Sequence, residues 1–407
     1  MDDIVIVGAG IGGLTLALQL HDAGIPCRIY EAAPELAPIG AGINVLPHAT
    51  AVLDQLGLVD RLAGIAVATK ESAFYNRFGQ LVYREPAGRA AGHPNPQFSV
   101  HRGDLQFLLL DAVRERLGPD AVTMGWRCTG ATQRGDKVEV SFESSADGAE
   151  LPGQVGSAVI GCDGIHSVLR KQLHPDEGAP RYSGVMMWRG VSVWTPFLTG
   201  ASMVRAGWLS TGKMVIYPVR ENVDGAGRQL VNWVAELETP ARSEREWNRG
   251  GRLEDFIEAF AAWNFDWLDV PSMIRAADTV LEYPMVDQDP LPLWTEGRIT
   301  LLGDAAHPMV PRGSNGAGQA IVDTQVLREQ LTEQQGIEAA LRGYEQRRLP
   351  ATSAVVLANR ENPPDAILRE VYERTGDRPF TRVDDVIRPD ELADIAQRYR
   401  KISGAVR

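Results

Sequence analysis

The residues Gly8-Ala9-Gly10-Ile11-Gly12-Gly13 place glycines at the spacing GxGxxG. In that pattern Gly8 permits a tight turn, Gly10 lets a pyrophosphate approach the backbone, and Gly13 allows a helix to pack closely on a strand. Glu31 follows Gly13 by eighteen residues, where a carboxylate accepts hydrogen bonds from a ribose and repels a 2′-phosphate. A second constellation runs from Arg298 to Pro308 and reads as a strand entering a tight turn. Asp304 then lies at the carboxyl end of that strand, placed to accept hydroxyls of a bound dinucleotide. Pro311-Arg312-Gly313-Ser314-Asn315-Gly316 precedes a helix whose first N–H groups can donate to an oxygen that gains negative charge. A reduced isoalloxazine carries such an oxygen.

These groups need a βαβ frame. Ile4 to Val7 is a β-branched run suited to a strand buried on both faces. Leu14, Leu16, Ala17 and Leu20 recur at helical spacing, and Gly24 ends that helix. Cys27 to Tyr30 is the second strand. The spacing predicts further helices at 50–56, at 105–117 with Asp104 as its cap, and at 316–330. Strands are predicted at 98–101, 137–142 and 158–161, and a loop at 87–96. From about Tyr182 to Tyr283 the pattern becomes antiparallel, with strands at 186–193, 213–218 and 230–237 and a concentration of aromatics that includes Trp188, Trp233 and Trp247. The expected architecture is α/β: a Rossmann-like dinucleotide-binding domain with an inserted β-rich substrate domain and a helical C-terminal region. Its boundaries are 1–70, 98–178 and 286–350 for the first, 71–97 and 179–285 for the second, and 351–407 for the third.

Composition narrows the function classes. With 44% hydrophobic and 23% charged residues the 407-residue chain is neither disordered nor collagen-like. Forty-one basic residues against 53 acidic ones leave a net charge of −12, which argues against broad nucleic-acid binding. Cys27, Cys128 and Cys162 are scattered without a CxxC spacing, so neither a disulfide framework nor a metal site is expected, and a reducing compartment fits. The apolar start is interrupted by glycines and opens on acidic residues, unlike a signal peptide. No run of about 18 apolar residues marks a membrane span. A cytoplasmic protein, monomeric or homodimeric, is the expectation.

Several motifs in order resemble the FAD-dependent aromatic hydroxylases, the single-component flavoprotein monooxygenases typified by p-hydroxybenzoate and salicylate hydroxylases. They are GAGIGG with Glu31, Gly40-Ala41-Gly42-Ile43, His101-Arg102-Gly103-Asp104-Leu105, Cys162-Asp163-Gly164-Ile165-His166-Ser167 with Arg170, and Gly303-Asp304-Ala305-Ala306-His307, together spanning roughly residues 1–350. The resemblance implies that Arg102 contacts FAD and that Asp304 binds its ribityl or diphosphate region. It implies that Asp163, Gly164 and Arg170 serve FAD and nicotinamide nucleotide use, that Pro311 through Gly316 and Ala317 edge the flavin ring, and that Gly42 and Ile43 face its other side. Trp188-Arg189-Gly190-Val191 and the Pro311 loop look closest to the phenazine-carboxylate hydroxylases, with amino-hydroxybenzoate hydroxylases a second neighbourhood. Two positions depart from the family: Val322 stands where many relatives carry glutamate, and His48 where asparagine is common.

The activity so implied consumes NADH or NADPH and O2 and hydroxylates a small aromatic acid or fused heteroaromatic through a flavin C4a-hydroperoxide. The alternatives are an FAD-dependent reductase or a Baeyer–Villiger oxygenase, and a flavoprotein kept as a sensing module. Pro311, Arg312 and Tyr217 are the candidates at the reacting centre. Arg312 would meet a substrate carboxylate or the flavin, and Tyr217 the substrate or only its packing neighbours. Trp188 and Trp233 could stack on a flat ring, with core packing the expectation for each. Arg189 and Arg205 could pair with an aromatic carboxylate, with a surface salt bridge the default. A local backbone cap is the expectation for His307. Tyr372, Arg374, Asp384, Asp385 and Tyr399 carry no motif and belong to a solvated tail or to a packed region.

Overall fold

Ile4, Val5 and Ile6 are completely buried, as a β-branched strand covered on both faces must be. That strand, Ile4–Val7, is central to a six-stranded sheet in the computed structural model, which describes residues 3–37, 40–240, 249–361 and 363–402. The strand order is Thr295–Glu296, Ile299–Leu301, Ala158–Gly161, Ile4–Val7, Cys27–Glu31, Val122–Met124. All pairings are parallel except the first. The loops after Val7, Gly161 and Leu301 therefore leave the same edge of the sheet, at the crevice where such sheets bind ligands.

The helix Ile11–Asp22 starts three residues earlier than its apolar spacing predicts, directly on Gly10. Asp104 does not cap the next long helix: Arg102–Leu117 begins before it, with His101 at the cap position. Asp104 lies in the first turn, where its charge still suits the helix dipole, and accepts a hydrogen bond from Arg220.

The second large sheet has eight strands, in the order Arg249–Gly250, Ala277–Asp287, Arg181–Trp194, Gln229–Glu238, Gly212–Arg220, Ser202–Trp208, Glu71–Tyr75, Leu81–Pro86. Side chains alternate between its faces. Trp188, Trp233, Ile216, Met214 and Val204 point to one face and pack with Phe256, Phe260 and Trp263. Trp188 stacks on Phe256 with ring centroids 5.0 Å apart. Gly190 makes room for Trp233, since a Cβ there would sit 2.4 Å from the indole. The opposite face carries Arg189, Arg205, Lys213, Tyr217 and Glu236 and looks toward the crevice of the parallel sheet. The tryptophans are thus core residues, and the polar members of the same strands form the site. Trp247 and the Tyr399 side chain lie outside the described residues.

The C-terminal helices Ala366–Thr375 and Pro389–Ile402 pack on the body rather than standing in solvent. Ile367, Leu368, Val371 and Leu392 bury against Phe74 and Val82 of the hairpin. Arg77 Nε adds a forked hydrogen bond to both carboxylate oxygens of Asp377, at 2.8 and 2.9 Å. Among the described residues no helix is long and apolar enough to cross a membrane.

Candidate active site

The glycine loop divides its labour as the spacing implies. A Cβ on Gly8 would lie 2.5 Å from the carbonyl oxygen of Cys162, and one on Gly13 would lie 2.0 Å from that of Gly8. Both glycines are therefore required by the packing of protein on protein. A Cβ on Gly10 would meet nothing within 4 Å. Gly10 faces open space at the N-terminus of the helix Ile11–Asp22, which is the cradle a pyrophosphate needs. The Ala9 peptide between them is held from both sides. Its N–H donates to Glu31 Oε2 at 2.7 Å, and its carbonyl accepts from the buried Gln106 Nε2 at 2.9 Å. Glu31 Oε1 accepts from Ala33 N at 2.8 Å. Each carboxylate oxygen has a further lone-pair site, so this brace leaves acceptor capacity for a ribose. Glu31 itself stands behind the loop and is not a wall of the main cavity.

That cavity is about 330 Å³ and collects most of the residues singled out by motif: Gly10, Gly42, Ile43, Arg102, Tyr217, Asp304, Pro311, Gly316 and Ala317. Its floor is the turn after Ile299–Leu301, where Gly303 has φ +64° and Asp304 turns into the cavity. Asp304 is exposed to the cavity, but the protein that walls the cavity crowds its carboxyl. Burial raises its carboxyl above the usual range, with His307 and Arg102 pulling the other way. On one side the helix Gly316–Glu333 presents its N-terminus. Ahead of it Gly313 and Ser314 both adopt left-handed backbone, φ +73° and +59°, which turns the Pro311 loop around the cavity. Asp163 lies beside the cavity, where Cys162 and Gly164 are the lining residues. One Asp163 oxygen accepts from Val168 N at 2.9 Å, and burial raises its pKa.

On the facing wall, the second sheet grips the Gly42 peptide. Its N–H donates to Asn232 Oδ1 at 2.6 Å, and its carbonyl accepts from the Tyr217 hydroxyl and from Arg189 Nη2, each at 2.7 Å. Tyr217 and Asn232 are directly opposite in register, so adjacent strands deliver both hands of the clamp. A Cβ on Gly42 would come within 2.6–2.8 Å of Val219, Asn232 and Tyr217, which explains the glycine. Burial pushes the Tyr217 phenol up, against an opposing pull from Arg189. The tyrosine is therefore a protonated donor near neutral pH and holds the strand Gly42–Val45 in place.

Arg312 lies one step away from the main cavity. It lines a smaller adjoining pocket of about 50 Å³ together with Arg189, Arg205, Lys213, Glu236 and Asp365. Arg189 and Arg205 are thus not surface ion pairs. Arg205 Nε is 3.2 Å from Asp365, and Lys213 Nζ is 2.9 Å from Glu236 and 2.5 Å from Asp365. Burial alone would raise Asp365, but Lys213 and Arg205 outweigh it and hold the carboxyl low. Four cations against two carboxylates leave this pocket positive. Lys213, Glu236 and Asp365 went unnoticed in the sequence. The signal available was a lysine and a glutamate inside otherwise apolar strands, and an aspartate directly after Pro363-Pro364.

His307 does not cap local backbone. Its Nε2 is 2.6 Å from Asp323 Oδ2, and Asp323 Oδ1 accepts from Arg348 Nε at 2.6 Å. Arg348 also donates to Gln319, and Gly303 N donates to Asp323 at 3.2 Å. This buried hub fastens the Asp304 turn to two helices. Burial would raise Asp323, but His307 and Arg348 outweigh it and leave its carboxyl below the usual range. Arg170 acts similarly from the other side: it is 2% exposed and donates to the carbonyls of Ala305 and Ala306 at 2.9 and 2.8 Å.

A parallel sheet with a glycine loop, an open cradle at Gly10 and two helix N-termini on one cavity define a dinucleotide-binding flavoprotein, whose residues fit FAD. The chain belongs to the FAD-binding-domain family, whose model matches residues 1–359, and within it to the FAD-dependent aromatic hydroxylases. It is 42% identical to the phenazine 1,6-dicarboxylic acid hydroxylase PhzS of Lysobacter antibioticus, over 98% of this chain and 97% of that one. It is 36% identical to a 3-amino-4-hydroxybenzoate 2-monooxygenase of Streptomyces cremeus, over 86% of this chain and 84% of the relative. The crystal structure of Klebsiella pneumoniae HpxO with FAD and uric acid superposes with a TM-score of 0.80 at 27% identity, covering 99% of this chain and 97% of that one.

Proposed function

We propose that this chain uses NADH or NADPH and O2 to hydroxylate an aromatic acid. The observation that carries the reading is the positive pocket of Arg189, Arg205, Lys213 and Arg312, which shares Pro311, Tyr217 and Arg189 with the FAD cavity as common walls. Bound FAD supplies the electron transfer and oxygen chemistry that no side chain here can perform. The protein's share is positioning and electrostatics. Gly10, Arg102 and Asp304 would hold the cofactor, with Glu31 behind them. The N-terminus of the helix Gly316–Glu333, at Gly316 and Ala317, would offer its free N–H groups to negative charge on the flavin. Tyr217, Arg189 and Asn232 fix the Gly42 peptide, so that Gly42 and Ile43 would form a rigid wall for the cofactor. Arg312 attracts the substrate carboxylate, Pro311 shapes the approach, and Met187, Met203, Val215 and Val234 keep the pocket dry.

The same reading divides the chain into cofactor-binding segments 1–70, 98–178 and 286–350, substrate segments 71–97 and 179–285, and the C-terminal region from 351. Three free thiols fit work in a reducing compartment such as the cytoplasm. The test is nicotinamide oxidation by FAD-loaded enzyme in air, with and without a panel of amino-, hydroxy- and phenazine-carboxylic acids, and with products weighed. Oxidation accelerated by one acid that gains a single oxygen atom is the expected result. Fast oxidation without any effector and with only peroxide formed would contradict it.

A further inference from the structure

We propose that the segment beyond residue 359, outside the family match, completes the substrate site with a second chamber that receives the distal ring of a fused aromatic acid. The inference rests on the hydroxylase reading and narrows it to substrates of more than one ring.

The chamber is a separate cavity of about 120 Å³, walled by Pro47, Phe74, Met203, Arg205, Pro364 and Ala396. A cavity of about 150 Å³ lined by apolar side chains is known to hold benzene, so this one has the size of a single aromatic ring. Apolar side chains outnumber the polar ones, which include Ser72, Glu85, His93 and Gln97, and the Arg205 guanidinium lies 5.3 Å from the centre of the Phe74 ring. At its inner end is Ser314, which also lines both the FAD cavity and the cationic pocket. The three spaces therefore meet at one residue of the flavin-edging loop. At its outer rim are Pro86 and Ala91, both exposed.

The C-terminal region supplies the far wall and is anchored for the purpose. Asp365, 3% exposed, reaches from the start of the helix Ala366–Thr375 to Arg205 and Lys213 on the substrate sheet. That buried grip fixes the adjacent Pro364 against the chamber, and Ala396 of the last helix closes it. Residues next to the FAD cavity are thus arranged for the reacting ring and its acid group. The residues past 359 are arranged for what extends beyond it. A single-ring acid leaves the chamber empty, whereas a fused acid fills it and buries apolar surface there.

The experiment compares Ala396→Phe, which fills the chamber from its far end, with the wild-type holoenzyme. Ala91→Trp, on the exposed rim, provides a second blockade should the larger side chain of Ala396→Phe disturb packing of the last helix. The readout is the ratio of kcat/KM for phenazine-1-carboxylate, whose distal ring is uncharged, to that for 3-amino-4-hydroxybenzoate, with FAD content recorded. A fall of tenfold or more in that ratio, with FAD retained, is the expected result. An unchanged ratio in both variants overturns the chamber. So does a wild-type enzyme that hydroxylates the single-ring acid and ignores the fused one, although the hydroxylase reading then stands. If neither acid is turned over, the hydroxylase reading is decided on the wider panel of acids. Dialysis binding of phenazine-1-carboxylate to the holoprotein then decides the chamber: binding weakened tenfold by Ala396→Phe supports it, and absent or unaffected binding overturns it.

Discussion

The three glycines of the first loop make separate statements at the scale of single residues. Gly8 and Gly13 touch protein where a Cβ would go, whereas Gly10 touches nothing. Gly10→Val is therefore expected to fold with the melting temperature of wild-type apoprotein and to carry less than a tenth of its FAD, read from the flavin-to-protein absorbance ratio. Gly13→Ala is expected to lose soluble protein instead; equal FAD content in Gly10→Val and wild type would refute the assignment. Arg312→Ala should raise KM for an acidic substrate about tenfold, the scale of one charge-assisted contact, with FAD retention unchanged; unaltered kinetics would remove Arg312 from the site. His48 gives a pH prediction. Neither ring nitrogen has a hydrogen-bond partner among the described residues, and burial, with Arg348 and His93 nearby, lowers its pKa from 6.5 to about 4. As pH falls below 6.5 the unfolded chain takes the proton first. Stability is then full above 6.5 and is lost toward pH 4, by on the order of 3 kcal/mol. His48→Leu should flatten urea-melt stability across that window, and a slope equal to wild type would contradict the account.

Elements matter because each delivers several of these residues in register. The strand Gly212–Arg220 brings Lys213 and Tyr217 to the same face, and its neighbour Gln229–Glu238 brings Asn232 and Glu236 opposite them. Period-two alternation made the strands legible in the sequence, but it did not reveal which face met the cofactor. That depends on the packing of a distant strand, Gly42–Val45, against them. The tryptophans drew attention because they are large, yet they occupy the opposite face. The GxGxxG loop and the Asp304 turn were legible because their backbone geometry demands particular residues at fixed spacing. The hub under that turn was not, since His307, Asp323 and Arg348 are brought together by tertiary packing alone. Removing one partner of a buried ion pair costs about 3–5 kcal/mol. Asp323→Asn should therefore lower unfolding free energy by that order in urea titration and loosen FAD binding through the Gly303 turn. A loss below about 1 kcal/mol would show that the hub does not support the turn.

The whole molecule places a cofactor cavity on a parallel sheet against the polar face of a second sheet, with the C-terminal helices covering the latter's far end. Motif order sufficed to expect the two sheets, because the glycine loop and the Asp304 turn stand nearly 300 residues apart yet describe one crevice. The tail's docking could not be read, since the amphipathic face that buries Ile367 and Val371 has no signature of its partner. These parts together serve the proposed reaction, in which an oxygen atom passes from O2 to an aromatic ring held between them. The most direct test supplies ¹⁸O2 to the FAD-loaded enzyme with NADH or NADPH and phenazine-1,6-dicarboxylate or 3-amino-4-hydroxybenzoate, and weighs the product. One ¹⁸O atom incorporated per hydroxylated product is the predicted result. Product carrying oxygen from water, or nicotinamide oxidation that yields labelled peroxide and unmodified acid with every compound tried, would contradict it.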